Sequence, residues 1–269
     1  MTDVADEDVR HAQRRYMMSD MVSLQQVEKL RNLEWGVFHI HPSCENAKEI
    51  LAYTHEAASS LLLSYNQVRA ARNPRRGTST AQEQDLLRAM LVMAAAGLDG
   101  MTKQLIRDAL PSLVDADESV REQLEAFVAR QIKGYADSTE VVAGSKFIAR
   151  LLSAKSHQAQ AIEDYIRELT GGSLQSAEEL IRAARALGFP EYLLKEVVAA
   201  KRDVQEVFVI RNQIVHELDM DLHGRRAPGR RRRNQRRVED MKSHVEQLLS
   251  IGVVFIHGVS ARLTNEIVL

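Results

Sequence analysis

The sequence predicts an all-α protein, and three observations carry that expectation. Hydrophobic residues make up 45% of the chain but aromatic residues only 5%. Pro is scarce, with five in 269 residues, while the strong helix formers Ala, Leu, Glu, Gln and Arg are abundant. Most of the chain also repeats apolar residues every three or four positions, the period of a helix with one buried face. The length suits one large domain, or a standard domain with an appended module.

The elements follow in order. Helical patterning over the first seventy residues is interrupted at "HIHPSCEN", where Pro42 ends one segment and Ser43 is placed to cap the next. From Cys44 to about Arg72, residues Ile50, Leu51, Thr54, Ala58, Leu61, Leu62 and Tyr65 share one broad face, so this stretch is a helix with a core side. "RNPRRGTSTAQ", residues 72 to 82, combines Pro, Gly, Ser and Thr with three Arg and reads as a linker. The expected organisation is therefore an N-terminal helical region over 1–72, a linker over 73–82 and a helical domain over 83–269.

After Thr80, a plausible cap, the run to Leu113 is apolar enough for a central, largely buried helix. Asp99 breaks that run between Gly97 and Gly100, two residues that allow another chain segment to approach closely. Either Asp99 is buried and needs a partner, or it faces solvent on a polar stripe with Lys103. Helices are expected next at about 117–133, 140–153 and 156–169, stopped by Gly171 and Gly172. "SAEE" at 176–179 is a capping box opening a helix that Gly188 closes. A further helix begins near Pro190 and runs for about 28 residues. A basic loop follows, then a last long helix from about Val238.

Charge and cysteine usage narrow the function classes. One cysteine, Cys44, makes no intrachain disulfide, and the acidic start "MTDVADEDVR" is unlike a secretory signal, so a cytoplasmic protein is expected. The longest apolar runs, "LVMAAAGL" and "IGVVFI", are short for a bilayer span. The net charge of −1 gives no sign of a nucleic-acid partner. Its distribution does: Arg225, Arg226, Arg230, Arg231, Arg232, Arg233, Arg236 and Arg237 form an acid-free run that attracts polyanions, unless it is simply a solvated loop.

The stretch "RNQIVHELDMD", residues 211–221, carries the most specific chemistry. Three Arg–His pairs have four to six residues between them: Arg150 with His157, Arg237 with His244, and Arg211 with His216. Only the last has Asn directly after the Arg and four positions before the His. On a helix Asn212 and His216 share a face one turn apart, while Val207, Ile210, Ile214 and Leu218 form the apolar stripe. Arg211 lies about 140° around from His216, so one helix aims the pair poorly, and a second copy across a two-fold axis would bring Arg to His.

These residue types fit RNA cleavage. A neutral His takes a proton from a ribose 2′-OH or returns one to the leaving 5′-oxygen. Arg forks onto a phosphate and stabilises the charge that builds in the transition state. Asn orients the phosphate or the imidazole. No metal or cofactor is required. A plain surface Arg and His on an amphipathic helix is the competing reading.

"RNQIVHELDMD", followed by a basic loop and "RRVEDMKSHVEQLL", resembles the end of HEPN domains, especially the RiboL-PSP-HEPN group. "AMLVMAAAGLDGMTKQLI" resembles their early helix, with Asp99 at its acidic position. The resemblance spans about residues 81–265. It implies a helical bundle that forms a homodimer with a composite, metal-independent ribonuclease site, in a toxin or antiphage defence role. Arg211 and His216 would be catalytic, Asn212 would fill the polar position beside the Arg, and Asp99 would orient Arg211 or His216. The products would be 2′,3′-cyclic phosphate and 5′-OH ends. RNA such as tRNA or mRNA, held by the arginines from Arg225 to Arg237, is the expected substrate, and an antitoxin is an expected regulator. Some members of the family only bind RNA or a protein partner, so a non-catalytic module is the alternative.

Two weaker signals remain. His39, His41, Cys44 and His55 have a loose zinc-like spacing, and a metal site there is not expected. The Met cluster "YMMSDM" at 16–21 reads as packing or a partner-facing helix.

Overall fold

The computed structural model describes residues 29–35, 39–72, 78–136, 141–190, 201–221 and 232–264. The protein is all-α. Among the described residues there are eight α-helices: α1 Glu45–Ala71, α2 Ala81–Ala116, α3 Glu118–Ala136, α4 Val141–Ser153, α5 His157–Thr170, α6 Ala177–Ala186, α7 Lys201–Glu217 and α8 Val238–Thr264. The Met cluster at 16–21 lies outside the described residues, as does the start expected near Pro190 for the helix that carries the motif.

The long α2 is the axis of the fold, and α1, α3, α5, α7 and α8 all pack on it. Its start is set by a capping box: the Thr80 hydroxyl accepts from Glu83 N, and the Glu83 carboxylate accepts from Thr80 N. Glu83 is fully buried and also pairs with Arg69 and Arg72 at the end of α1. Of the face its spacing predicts, Leu51, Thr54, Ala58, Leu62 and Tyr65 of α1 are buried and Ile50 and Leu61 are partly buried against the core; Ala47 is buried with them. At the closest approach Gly97 of α2 faces Thr54, and a Cβ at 97 would overlap that side chain.

The helix before the expected linker shares a core with those after it, while 73–77 of the linker lie outside the described residues. Leu51, Ala58 and Leu62 of α1 belong to one hydrophobic core with Leu87, Met101, Leu248 and Phe255 of α2 and α8. Gly252 of α8 lets Leu51 approach, since a Cβ there would come within 2.7 Å of a Leu51 methyl. α1 and α2 are thus antiparallel helices of one core, as the contacts of Thr54 with Gly97 and of Asn46 with Asp108 require. Local sequence marks a break in helix but is silent on which faces meet.

The first helix start also differs from expectation. Pro42 opens a short 3-10 turn, Pro42–Cys44, and His41 caps it, its Nδ1 accepting from Ser43 N at 3.2 Å. Ser43 is inside the turn and caps nothing. Further along, Ser176 accepts from Glu179 N, and Gly188 takes a φ of 74° just beyond α6. By length and composition alone α8 could cross a bilayer, contrary to the reading from short apolar runs, but 50% of its most apolar window is buried against the other helices.

Candidate functional site

The C-terminal half of α7 carries Arg211, Asn212 and His216, and its orientation follows from the apolar stripe. Val204, Val207, Phe208, Ile210 and Ile214 are buried against the core, which turns Asn212 and His216 outwards. Leu218, expected on the same stripe, is instead 67% exposed, because α7 ends at Glu217 and the chain reverses there. Arg211 is half-buried at the margin of the stripe. Its Nη1 donates to Asn212 Oδ1 at 2.9 Å, while its Nε is buried and meets no acceptor. Exposed Val209 and Val215 flank the three polar residues, so this face mixes hydrogen-bonding groups with apolar area.

The turn after His216 is the most tightly specified part of the region. Leu218 and Asp219 have φ of 51° and 57°, two consecutive residues in the left-handed region without being Gly. Such backbone costs about 1–2 kcal/mol per residue, so something must hold it. Asp219 does so, with a carboxylate fully removed from solvent. Arg88 Nε donates to its Oδ2 at 2.8 Å, Arg236 Nη2 donates to its Oδ1 at 2.6 Å, and Asn234 Nδ2 donates to the same oxygen at 3.1 Å. Burial pushes the Asp219 carboxyl upwards, but the hydrogen bonds from Arg236, Arg88 and Asn234 outweigh it and hold the group below the usual carboxylate value.

The backbone is fixed with equal completeness. Asp219 N donates to Gln213 O, Asn234 N to Asp219 O, and Asp221 N to Arg232 O, at 2.8 to 3.0 Å. Gln84 clamps the returning strand of chain at Arg236, accepting from its N at 2.7 Å and donating to its O at 2.9 Å. Arg233 reaches back to Leu218 O and to Asp85, and Arg88 also bonds Asn234 O. The second turn of α2 therefore holds both the end of α7 and the segment that leads into α8.

These contacts redistribute the expected roles. Arg233 and Arg236, anticipated as RNA contacts, are committed to Asp85, Leu218, Asp219 and Gln213. Arg232 and Arg237 are exposed, the latter in a long 3.7 Å pair with Glu239. Arg225, Arg226, Arg230 and Arg231 lie outside the described residues. Asp99 makes no hydrogen bond or ion pair with Arg211 or His216 among the described residues of the single chain. Its Oδ1 accepts from Leu174 N at 2.6 Å and its Oδ2 pairs with Lys103 at 2.8 Å, so it anchors the connection between α5 and α6. Both sequence readings of Asp99 hold in part: it is half-buried with a backbone partner, and it pairs with Lys103.

Sequence reasoning passed over Arg88, Gln84 and Asp219. The signal was present: Gln84, Arg88, Leu91 and Ala95 follow helical spacing on the buried side of α2, and a charge at a core position demands a partner. Of the residues with loose zinc-like spacing, Cys44 is buried and its thiol is pushed up to about 12, mainly by burial. His55 Nε2 meets Arg31 O at 2.9 Å. Among the described residues no cluster of three His, Cys, Asp or Glu is placed to hold a metal ion.

Another histidine borders this region. His244 of α8 is half-buried between two adjoining grooves of about 740 and 370 Å³. Burial lowers its pKa despite the nearby Glu206 and Asp240, which favours the neutral ring. Comparison with protein-family models, curated proteins and solved structures gives no match for this chain.

Proposed function

We propose that this protein is a metal-independent endoribonuclease of the HEPN type, working as a homodimer in the cytoplasm in a toxin or antiphage defence role. The observation that carries the reading is the placement of outward-facing Asn212 and His216 on α7 with half-buried Arg211 bonded to Asn212, next to a turn locked by buried Asp219. The guanidinium charge of half-buried Arg211 suits a phosphate, and exposed His216 suits proton transfer to and from the ribose. In the reaction the 2′-oxygen attacks the adjacent phosphorus as its proton leaves for a His. The bond to the 5′-oxygen then breaks, and that oxygen takes up a proton. The products are a 2′,3′-cyclic phosphate and a 5′-OH.

One chain leaves Arg211 and His216 about 140° apart around α7. A second copy packed antiparallel on this face would set each Arg beside the opposite His, and Val209 and Val215 would supply apolar contact area for it. The same separation favours the second reading, a non-catalytic module that binds RNA or a protein partner.

The test is incubation of the purified protein with total tRNA and a mixed single-stranded RNA in EDTA, beside His216→Ala, with mapping of the fragment ends. Cleavage that survives the chelator, leaves cyclic phosphates and is lost in the variant supports the nuclease. Intact RNA in both samples favours the binding module.

A further inference from the structure

On the side of the molecule built by α3, α5 and α6 lies a half-open recess of about 360 Å³. Three guanidinium groups line it, Arg130 from α3 and Arg182 and Arg185 from α6, with Gln123 as a neutral donor. Its one carboxylate, Glu168, is already used: Oε1 accepts from Arg130 at 2.8 Å and Oε2 from Gln131 at 2.9 Å. Arg182 pairs with Glu179 on its own helix at 2.7 Å, with both side chains substantially exposed, an arrangement that contributes little and is readily exchanged. Arg185 has no carboxylate within ion-pair distance among the described residues. Against three arginines only Glu168 and Glu179 supply negative charge here, so the recess keeps an excess of positive charge that attracts an anion.

Two buried side chains complete the lining. Tyr165 and Leu169 are buried, and the Tyr165 ring stacks on Phe127 with centroids 4.9 Å apart. Burial pushes the Tyr165 phenol up to about 12, so at neutral pH it adds no negative charge. The volume is several times that of a lone phosphate and falls at the lower end of small-ligand sites. Arginines on two helices around one recess can supply guanidinium forks to the several oxygens of a terminal phosphate.

We propose that this recess is a binding site for a small phosphate ester of about mononucleotide size, gripped by Arg130, Arg182 and Arg185. None of its residues lies on α7 or α8, so the site stands whether or not the protein is a nuclease.

Titration calorimetry on the full chain tests it, with adenosine 5′-monophosphate, ribose 5-phosphate, inorganic phosphate and adenosine as probes. The variants are Arg185→Ala and the double variant Arg182→Ala/Arg185→Ala, each checked for an unchanged helical spectrum and melting temperature. Saturable binding of the two esters is expected, weakening as salt rises. Arg185→Ala should weaken it about tenfold or more, the double variant should abolish it, and adenosine should not bind. Equal binding of adenosine and its phosphate, indifference to both variants, or no saturation by either ester up to about 5 mM would overturn the proposal. Tighter binding of inorganic phosphate than of either ester, or of a short RNA through the same arginines, would overturn the assignment to a small ester.

Discussion

Arg88 Nε donates to Asp219 Oδ2 at 2.8 Å between two buried side chains 131 positions apart in the chain. This bond ties the beginning of the central helix to the end of the helix that carries Arg211 and His216. With Arg236, Asn234 and Gln84 it fixes a turn whose backbone is otherwise unfavourable. The orientation of the candidate site is thus set from α2, by residues that do not themselves face solvent.

Asp219→Asn should destabilise the protein by about 3–5 kcal/mol, because it removes the buried carboxylate that Arg88 and Arg236 share and leaves buried Arg88 with only the exposed carboxylate of Asp85. Urea unfolding followed by circular dichroism checks this. Replacing Arg88 and Asp219 together with Met and Leu should cost less than the sum of the single changes, since the buried charges disappear together.

The same carboxylate makes stability depend on pH. Its folded-state pKa lies below its unfolded value, so its contribution is complete above about pH 4 and is lost as pH falls through the folded pKa. The stability difference between wild type and Asp219→Asn should therefore be constant from about pH 5 to 8 and shrink in stronger acid. A difference that grew on acidification would contradict the assignment.

The helices were legible because their signals are local. Apolar spacing over 47–65, the Thr80 and Ser176 caps and Gly188 each act within a few residues, and the structure repeats them. What was not legible depends on which faces meet. Asp99 has the residue type and surroundings of a site acid, but its partner comes from Leu174, 75 positions away. Arg233 and Arg236 read as part of one uniform basic run, and only the return of the chain beside α2 distinguishes them from exposed Arg232 and Arg237. The spacing of Arg211, Asn212 and His216 was visible, whereas the clamp that orients their helix was not.

Gly97→Ala should destabilise by about 1–3 kcal/mol, since the new Cβ would occupy the space of Thr54 and overpack the α1–α2 contact. The Thr54 hydroxyl is bound to Ile50 O at 2.7 Å, which opposes a rotamer change. Adding Thr54→Ala should recover part of the loss. Thermal melts of the single and double variants check both statements, and they test the placement of α1 in the core.

Cys44, the one cysteine of the chain, should react with a thiol reagent only as fast as the protein opens. It is fully buried and its thiol is pushed up to about 12. Absorbance assay with a disulfide reagent at pH 8 should show negligible labelling of the native protein and one equivalent in denaturant.

The central claim is a nuclease site shared between two copies of the chain, and mixing two inactive variants tests it most directly. Arg211→Ala and His216→Ala should each lack RNA cleavage alone. After the two are unfolded and refolded together, about half of the dimers hold one of each, and each of these has one complete Arg–His pair. The account predicts recovery of about a quarter of wild-type cleavage in the mixture. An inactive mixture beside an active wild type would place Arg211 and His216 in a site within one chain, and cleavage by either variant alone would remove that residue from the chemistry.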